Sequence, residues 1–208
     1  PTLSGHESTP FAFSIYLCAG SISWGLFAEM LGRLNNVFLE NGNLIKKASF
    51  PRICLPMIAI LSALINSGIL LGIYLLFLLI IGHWPGLPMI SIIPLLVLQL
   101  LFTMGLGVAL GTLNVFFRDV GQIIGVVLQF WFWLTPIVYT LQALPEGARE
   151  LMQFNPLLPL ISAWQTVFLD RTWPDFASLL PLVVLTLLML WLGAWLFMGR
   201  VGELVDEL

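Results

Sequence analysis

The stretch Ile53 to Ile81, ICLPMIAILSALINSGILLGIYLLFLLII, runs for 29 residues without a charged side chain. A helix needs about 20 apolar residues to cross a hydrocarbon core of about 30 Å, so this stretch can span a bilayer with some tilt. Pro56 and the polar pair Asn66 and Ser67 interrupt it. It predicts an integral membrane protein built from helices.

The rest of the 208-residue sequence has the same character. Hydrophobic residues make up 59% and charged residues 9%, with a mean hydropathy of +1.01. An average soluble domain carries about 25% charged residues. We therefore expect membrane lipid to surround most of the chain, and we do not expect nucleic acid as a partner.

Further apolar stretches predict a single all-α transmembrane domain over residues 1–208, a polytopic helical bundle. Its five predicted spans cover residues 11–30, 53–81, 89–117, 120–144 and 176–198. Glu29 and Arg33, in i,i+4 order, suit a first helix that continues out of the bilayer. Only Arg118 and Asp119 separate the third and fourth spans, which predicts an antiparallel hairpin with a cytoplasmic turn at these two residues.

The segment from 145 to 175 breaks the pattern of long apolar runs. Four prolines, at positions 145, 156, 159 and 174, punctuate it. Its apolar part, Leu160 to Leu169, is too short to cross a bilayer. We expect short surface or re-entrant helices on the outer side of the membrane.

The distribution of basic residues predicts the orientation. Following the five spans, one side collects Arg33, Lys46, Lys47, Arg52, Arg118 and Arg200, and the other side has Arg149 and Arg171. The side richer in Lys and Arg is cytoplasmic, so the C-terminus is expected in the cytoplasm. The odd number of spans and the missing initiator Met predict a fragment that has lost an upstream span.

The longest polar run on the predicted cytoplasmic side covers residues 40–52. It contains, in order, Asn41, Gly42, Asn43, Leu44, Ile45, Lys46 and Lys47, and it ends in Phe50-Pro51-Arg52. Two interpretations stay open. The run is either a basic loop that only fixes the topology or a docking element for a cytoplasmic partner.

Aromatic residues concentrate towards the predicted outer half. The candidates for a sugar-binding path are Trp24, Phe27, Trp131, Tyr139 and Trp164. An aromatic ring offers a flat apolar face with a negative quadrupole to the C–H groups of a sugar. The alternative is an interfacial aromatic belt, which membrane proteins carry regardless of their substrate.

Small residues recur at four-residue spacing in three places and predict close helix packing. These pairs are Gly68-x3-Gly72, Gly107-x3-Gly111 and Gly121-x3-Gly125. They identify no substrate.

The sequence offers no residue set for bond chemistry or for binding a metal. It has no paired intramembrane carboxylates and no HExxH motif, and it places no Ser or Cys beside a His. His6 and His83 are interpreted as ordinary loop residues, and a disulfide between Cys18 and Cys54 is not expected, because the topology puts them near opposite faces. A phosphate loop is also missing, so any ATP hydrolysis belongs to another subunit.

Four stretches, in this order, resemble the permeases of type-2 ABC exporters of O-antigen, capsular polysaccharide or teichoic acid. They are Asn43 to Lys47 with Phe50-Pro51-Arg52 and Pro56, Asn114 to Val120, Thr135 to Tyr139, and Asn155-Pro156-Leu157. The resemblance covers roughly residues 10 to 200.

The resemblance implies six spans per permease, a preceding amphipathic helix and a homodimer with the export path between protomers. It also implies two cytoplasmic ABC ATPase subunits, which would hold the ATP and Mg²⁺. By position, Asn41 to Lys47 resembles the coupling helix, and residues 145–175 resemble the outer re-entrant helices. The implied function is export of a lipid-linked glycan across the bacterial cytoplasmic membrane by a transport subunit that is not itself an enzyme.

Two other functions stay open at this point. A type-2 ABC exporter of drugs or small lipids would share the docking loop without a wide sugar-lined path. An integral membrane glycosyltransferase would need catalytic residues near an interface, where only Arg118 and Asp119 are available.

Overall fold

The protein is described by a computed structural model that covers residues 11–42, 54–141 and 144–200. These residues are 83% helical and contain no strand, which confirms the all-α prediction. The α-helices are α1 (Ala12–Glu40), α2 (Cys54–Ile80), α3 (Ile92–Phe116), α4 (Asp119–Trp133), α5 (Glu146–Met152), α6 (Leu158–Gln165) and α7 (Leu180–Arg200). Short 3-10 turns, Leu87–Ser91 and Ala177–Leu179, lead into α3 and α7, and a π-helical turn, Thr166–Asp170, continues α6.

Four of the described helices are long and apolar enough to cross a membrane. They are Ala12–Glu40, Cys54–Ile80, Leu87–Phe116 and Ala177–Arg200, and they match four of the five predicted spans. The chain is therefore a multi-pass membrane protein. Helix α1 continues ten residues beyond its predicted end, because Leu34, Val37 and Phe38 keep a buried apolar face after residue 30.

The fourth predicted span is shorter than expected. Helix α4 has 15 residues and ends at Trp133, whereas the sequence predicted a span over 120–144. At about 1.5 Å per residue it is about 22 Å long, short of a 30 Å hydrocarbon core. The physical reason is Pro136, which lacks an N–H and whose ring clashes with the carbonyl four residues earlier.

The segment from 145 to 175 consists of short helices, as its prolines predicted. Helix α5 has 7 residues, and α6 with its π-helical turn has 13, so neither is long enough to cross a bilayer. The turn ends at Arg171, which adopts a left-handed conformation with φ 56°. The position of this segment outside the membrane stays a prediction.

The described residues form two compact units. Unit 1 contains residues 11–25, 67–97 and 130–182, and unit 2 contains residues 26–66, 98–129 and 183–200. The core of unit 1 includes the edge-to-face pair Tyr74 and Phe168, whose ring centroids are 5.0 Å apart. The core of unit 2 includes Phe38 stacked on Phe197 at 5.5 Å.

Glycines allow the helices of unit 2 to approach closely. A Cβ at Gly107 would lie 2.6 Å from the Leu34 side chain, and a Cβ at Gly111 would meet the Leu34 carbonyl oxygen. A Cβ at Gly105 would likewise lie 2.5 Å from the Leu190 backbone nitrogen. The packing prediction is therefore confirmed for the pair on α3.

The other two glycine pairs behave differently. A Cβ at Gly121 would meet the Asn114 amide at 3.1 Å, whereas one at Gly68, Gly72 or Gly125 would find nothing within 4 Å. Close packing within the described chain therefore explains the glycine at position 121. It does not explain those at 68, 72 and 125, which lie on open surface.

Candidate functional site

Asn155 connects the end of α4 to the start of α6 in unit 1. Its Oδ1 accepts the Trp131 indole N–H at 2.9 Å and the Leu157 backbone N–H at 3.1 Å. Its Nδ2 donates to Thr135 Oγ1 at 2.9 Å and, more weakly, to the Leu134 carbonyl at 3.3 Å. Two of the stretches that carried the family resemblance, at Thr135 and at Asn155, are thus in direct contact.

The Pro136 carbonyl is a second connection point in unit 1. It accepts the Tyr16 hydroxyl of α1 at 2.9 Å and the Gln165 Nε2 of α6 at 3.1 Å. A Cβ at Gly20 would lie 2.8 Å from that Nε2, so glycine leaves the room that Gln165 needs. We call the residues Tyr16, Trp131, Thr135, Pro136, Asn155 and Gln165 the polar clamp.

His83 contacts the carboxyl-terminal end of α6 and its π-helical turn, residues 158–170, which together we call the α6 segment. It is buried, and its Nε2 lies 3.1 Å from the carbonyl oxygens of both Phe168 and Leu169. The final carbonyls of a helix lack intrahelical partners, so a donor here satisfies groups that burial would otherwise leave unpaired. His83 is therefore not the ordinary loop residue that the sequence suggested, because its side chain caps a buried helical turn.

The predicted sugar-path aromatics are mostly packed inside the units. Phe27 and Trp164 are each 1% exposed and Trp24 is also buried, while Trp131 and Tyr139 are half-buried. Trp24 packs edge-to-face on Trp131 with ring centroids 6.2 Å apart. The structure gives these rings a packing role, and their part in a glycan path stays a prediction.

Tyr139 follows the turn after α4. Its hydroxyl donates to the Trp133 carbonyl at 2.6 Å. Burial raises the pKa of the Tyr139 hydroxyl above its ordinary value.

Asn114 organises the predicted turn at Arg118 and Asp119 in unit 2. Its buried amide donates to the Asn35 carbonyl at 2.9 Å and accepts the Gly121 N–H at 2.8 Å. Arg118 and Asp119 are exposed between α3 and α4. Asp119 begins α4, where a negative charge interacts favourably with the helix dipole. The chain thus has a break between two helices at Arg118, and the cytoplasmic location of this turn stays a prediction.

The predicted ATPase-coupling segment is only partly described. Asn41 follows the end of α1 and its Nδ2 donates to the Val37 carbonyl at 2.9 Å, with Gly42 next in the chain. Asn43, Leu44, Ile45, Lys46 and Lys47 lie outside the described residues. Their coupling role stays a prediction.

Unit 2 also contains an apolar cavity of about 560 Å³. Its lining residues are Pro56, Met57, Met104, Gly105, Val108, Leu190, Gly193, Ala194, Phe197 and Met198. Such a wall offers no side-chain hydrogen bonds to sugar hydroxyls. We therefore do not assign a glycan to this cavity.

The fold described above is that of a polytopic helical membrane protein. Residues 3–169 match the sequence profile of the family described as ABC-2 type transporter. Because the match covers well over half of the sequence, this chain belongs to the ABC-2 type transporter family. It is a membrane transport subunit of that family, whose members work with an ABC ATPase.

Individual relatives narrow the comparison. The O-antigen export system permease protein RfbA of Myxococcus xanthus is 28% identical over 198 residues, which are 94% of this chain and 76% of that protein. A protein of the same name from Klebsiella pneumoniae is 29% identical over 161 residues, 77% of this chain and 62% of the relative. A second protein of that name from the same species is 28% identical over 159 residues, which are 76% of this chain and 61% of that relative. The resemblance to type-2 ABC permeases of polysaccharide export is thereby confirmed.

Proposed function

We propose that this chain is the permease subunit of an ATP-driven exporter that moves a lipid-linked polysaccharide across the bacterial cytoplasmic membrane. The observation that carries the proposal is the similarity over 94% of the chain to a permease named for O-antigen export. O-antigen or a capsule-like glycan is accordingly the expected class of cargo. The chain spans about three fifths of the two Klebsiella relatives, with 62% and 61% of their lengths matched.

The energy for export comes from a separate cytoplasmic ATPase, present in two copies with its own ATP and Mg²⁺. This chain contributes the segment Asn41 to Lys47 as the docking element. Closure of the ATPase pair on ATP would push this segment and shift the population of permease conformations towards an open path.

The permease works as a homodimer with the path between protomers. None of the residues of α4 is buried, and Ile123, Val126 and Phe130 expose large apolar side chains on it. A helix so open is available for a second copy of the chain.

The basic residues support a cytoplasmic C-terminus. Arg118 and Arg200 belong to unit 2, whereas Arg149 and Arg171 belong to unit 1. In the order of the predicted spans, Lys46, Lys47, Arg52, Arg118 and Arg200 lie on one side of the membrane, and the positive-inside rule favours the cytoplasm for that side.

Charge reversal in the docking element tests the coupling. The double variant Lys46→Glu with Lys47→Glu is expected to lose most of the co-purifying ATPase and most glycan export, since opposite charge would repel a complementary groove. Arg171→Glu, a matched reversal at an exposed residue in unit 1, should retain both. Normal ATPase recruitment and export by the double variant would remove the coupling assignment.

Substrate class is tested separately. Trp131→Ala and Tyr139→Ala should reduce export of long glycan if these rings guide sugar. An exporter of drugs or small lipids, the alternative function, would instead keep transporting its small cargo and would export no glycan even as the wild type.

A further inference from the structure

Helix α2 carries an amide side chain at a depth where lipid would be the solvent. Asn66 lies near the middle of Cys54–Ile80. About 20 helical residues cross the hydrocarbon core, and the last such window within α2, residues 61–80, still places Asn66 five residues, or about 7 Å, from the nearer edge. Wherever the span is placed on α2, Asn66 therefore lies inside the membrane.

Glu29 of α1 lies at the same depth, because one of its carboxylate oxygens accepts the Asn66 amide at 2.7 Å. Its other oxygen accepts both Nε and Nη2 of Arg33, at 3.0 and 2.9 Å. The sequence had placed Glu29 and Arg33 where the first helix leaves the bilayer. Their contact with Asn66 brings the ion pair to the depth of that amide in unit 2.

This polar group is open to its surroundings. The Arg33 side chain is 49% exposed and that of Glu29 is 24% exposed, and Asn66 is exposed as well. Gly32, next to Arg33, has nothing within 4 Å of a Cβ built on it. Ionisable residues inside membrane spans almost always face the interior of a bundle or a water-filled cavity. Contact of this face with lipid tails is therefore unfavourable.

We propose that the face formed by Glu29, Arg33 and Asn66 lines the water-filled export path and binds hydroxyl groups of the passing glycan. The inference rests on the proposed function and names a part of its substrate site. These residues differ from the aromatic residues that the sequence suggested, because they lie on an exposed polar face.

The chemistry of the three side chains favours a neutral, hydroxyl-rich ligand. The charges of Glu29 and Arg33 cancel, so the group lacks the excess positive charge that would hold a diphosphate. The ion pair uses two of the five N–H donors of Arg33. The Asn66 amide adds an acceptor oxygen, so donors and acceptors lie side by side, as a hydroxyl that both donates and accepts requires.

Water access to this face is the first test. In the exporter with its ATPase, with Cys18 and Cys54 replaced by Ala, Gly32→Cys is compared with Leu187→Cys, which is 63% exposed near the middle of α7. A charged, membrane-impermeant methanethiosulfonate should label the Gly32 variant at least about tenfold faster, because only a hydrated thiol ionises readily. Cells making the glycan should show slower labelling than cells without it.

Export is the second measurement. Glu29→Gln combined with Arg33→Gln removes both charges and keeps an acceptor for Asn66, and it should slow glycan export about fivefold, the effect of one ordinary hydrogen bond. ATPase recruitment should be unchanged.

The outcomes separate this inference from the proposed function. A wild-type protein that exports no glycan contradicts the proposed function, whereas the labelling comparison still reports on water access. Equal labelling of the Gly32 and Leu187 variants, or unchanged export by the double Gln variant in an active exporter, overturns the inference about this face.

Discussion

Removal of the Asn155 side chain should weaken the protein more than any exposed polar substitution in unit 1. Asn155→Ala deletes the bonds to Trp131, Thr135 and Leu157. A typical hydrogen bond contributes about 1 kcal/mol net, and neighbouring bonds are coupled, so the expected loss is about 2–3 kcal/mol. For a chain of this size that corresponds to a fall in Tm of about 5–10 °C.

The assay is thermal unfolding of the purified protein in detergent, followed by tryptophan fluorescence. Asn155→Asp keeps the acceptor for Trp131 but loses the donor to Thr135, so about half of the decrease is expected. Ser178→Ala serves as the control, because its hydroxyl makes an exposed local bond to the Asp175 carbonyl, and surface changes usually stay within about 0.5 kcal/mol. Equal Tm values for Asn155→Ala and Ser178→Ala would refute the connecting role of Asn155.

Three further predictions follow from close contacts. His83→Ala leaves the carbonyls of Phe168 and Leu169 without their donor and should cost about 1–3 kcal/mol, measured as a lower Tm than that of a Trp84→Ala control. Gly111→Ala should prevent normal folding because its Cβ meets the Leu34 carbonyl, whereas Gly125→Ala meets open space and should express at the wild-type level. Asn114→Leu should lower the Tm by several degrees, because the Asn35 carbonyl and Gly121 N–H lose their partner. Wild-type stability in any of these destabilising variants would contradict the corresponding contact.

The membrane spans could be predicted because hydrocarbon thickness sets a length that the sequence itself displays. Four of five followed from uninterrupted apolar runs. The fourth was drawn too long because hydropathy continues past Pro136, while the backbone cannot continue as a helix there. The proline was visible, and it should have outweighed the apolar composition around it.

The polar clamp could not be predicted because its partners are distant in sequence. Tyr16 and Pro136 are 120 positions apart, and Gln165 and Pro136 are 29 apart. Short polar motifs at Thr135 and Asn155 marked the right places but not their contact. A polar side chain inside an apolar run, such as Tyr16 or Gln165, was the available signal, since buried polar groups require partners.

The prediction of a sugar path from aromatic residues shows that residue type alone does not tell whether a side chain is exposed. Phe27 and Trp164 have the residue type that binds sugars, yet their burial depends on which helix face meets a neighbour. Composition carries no such directional information. Glu29 and Arg33 illustrate the same limit, because their contact with Asn66, 37 positions from Glu29, could not be predicted from the sequence.

The polar clamp can also be described as an equilibrium constant. Three hydrogen bonds join the chain around α6 to the end of α4, from Trp131 to Asn155, from Asn155 to Thr135 and from Gln165 to Pro136, and they add to the apolar packing of the buried α6 side chains. At about 1 kcal/mol net for each bond, the three bonds alone favour the joined state over a separated one by about a hundredfold. Contacts of this strength would limit leakage in a resting exporter, and inverting a ratio of 1:99 to 99:1 would take about 5.5 kcal/mol.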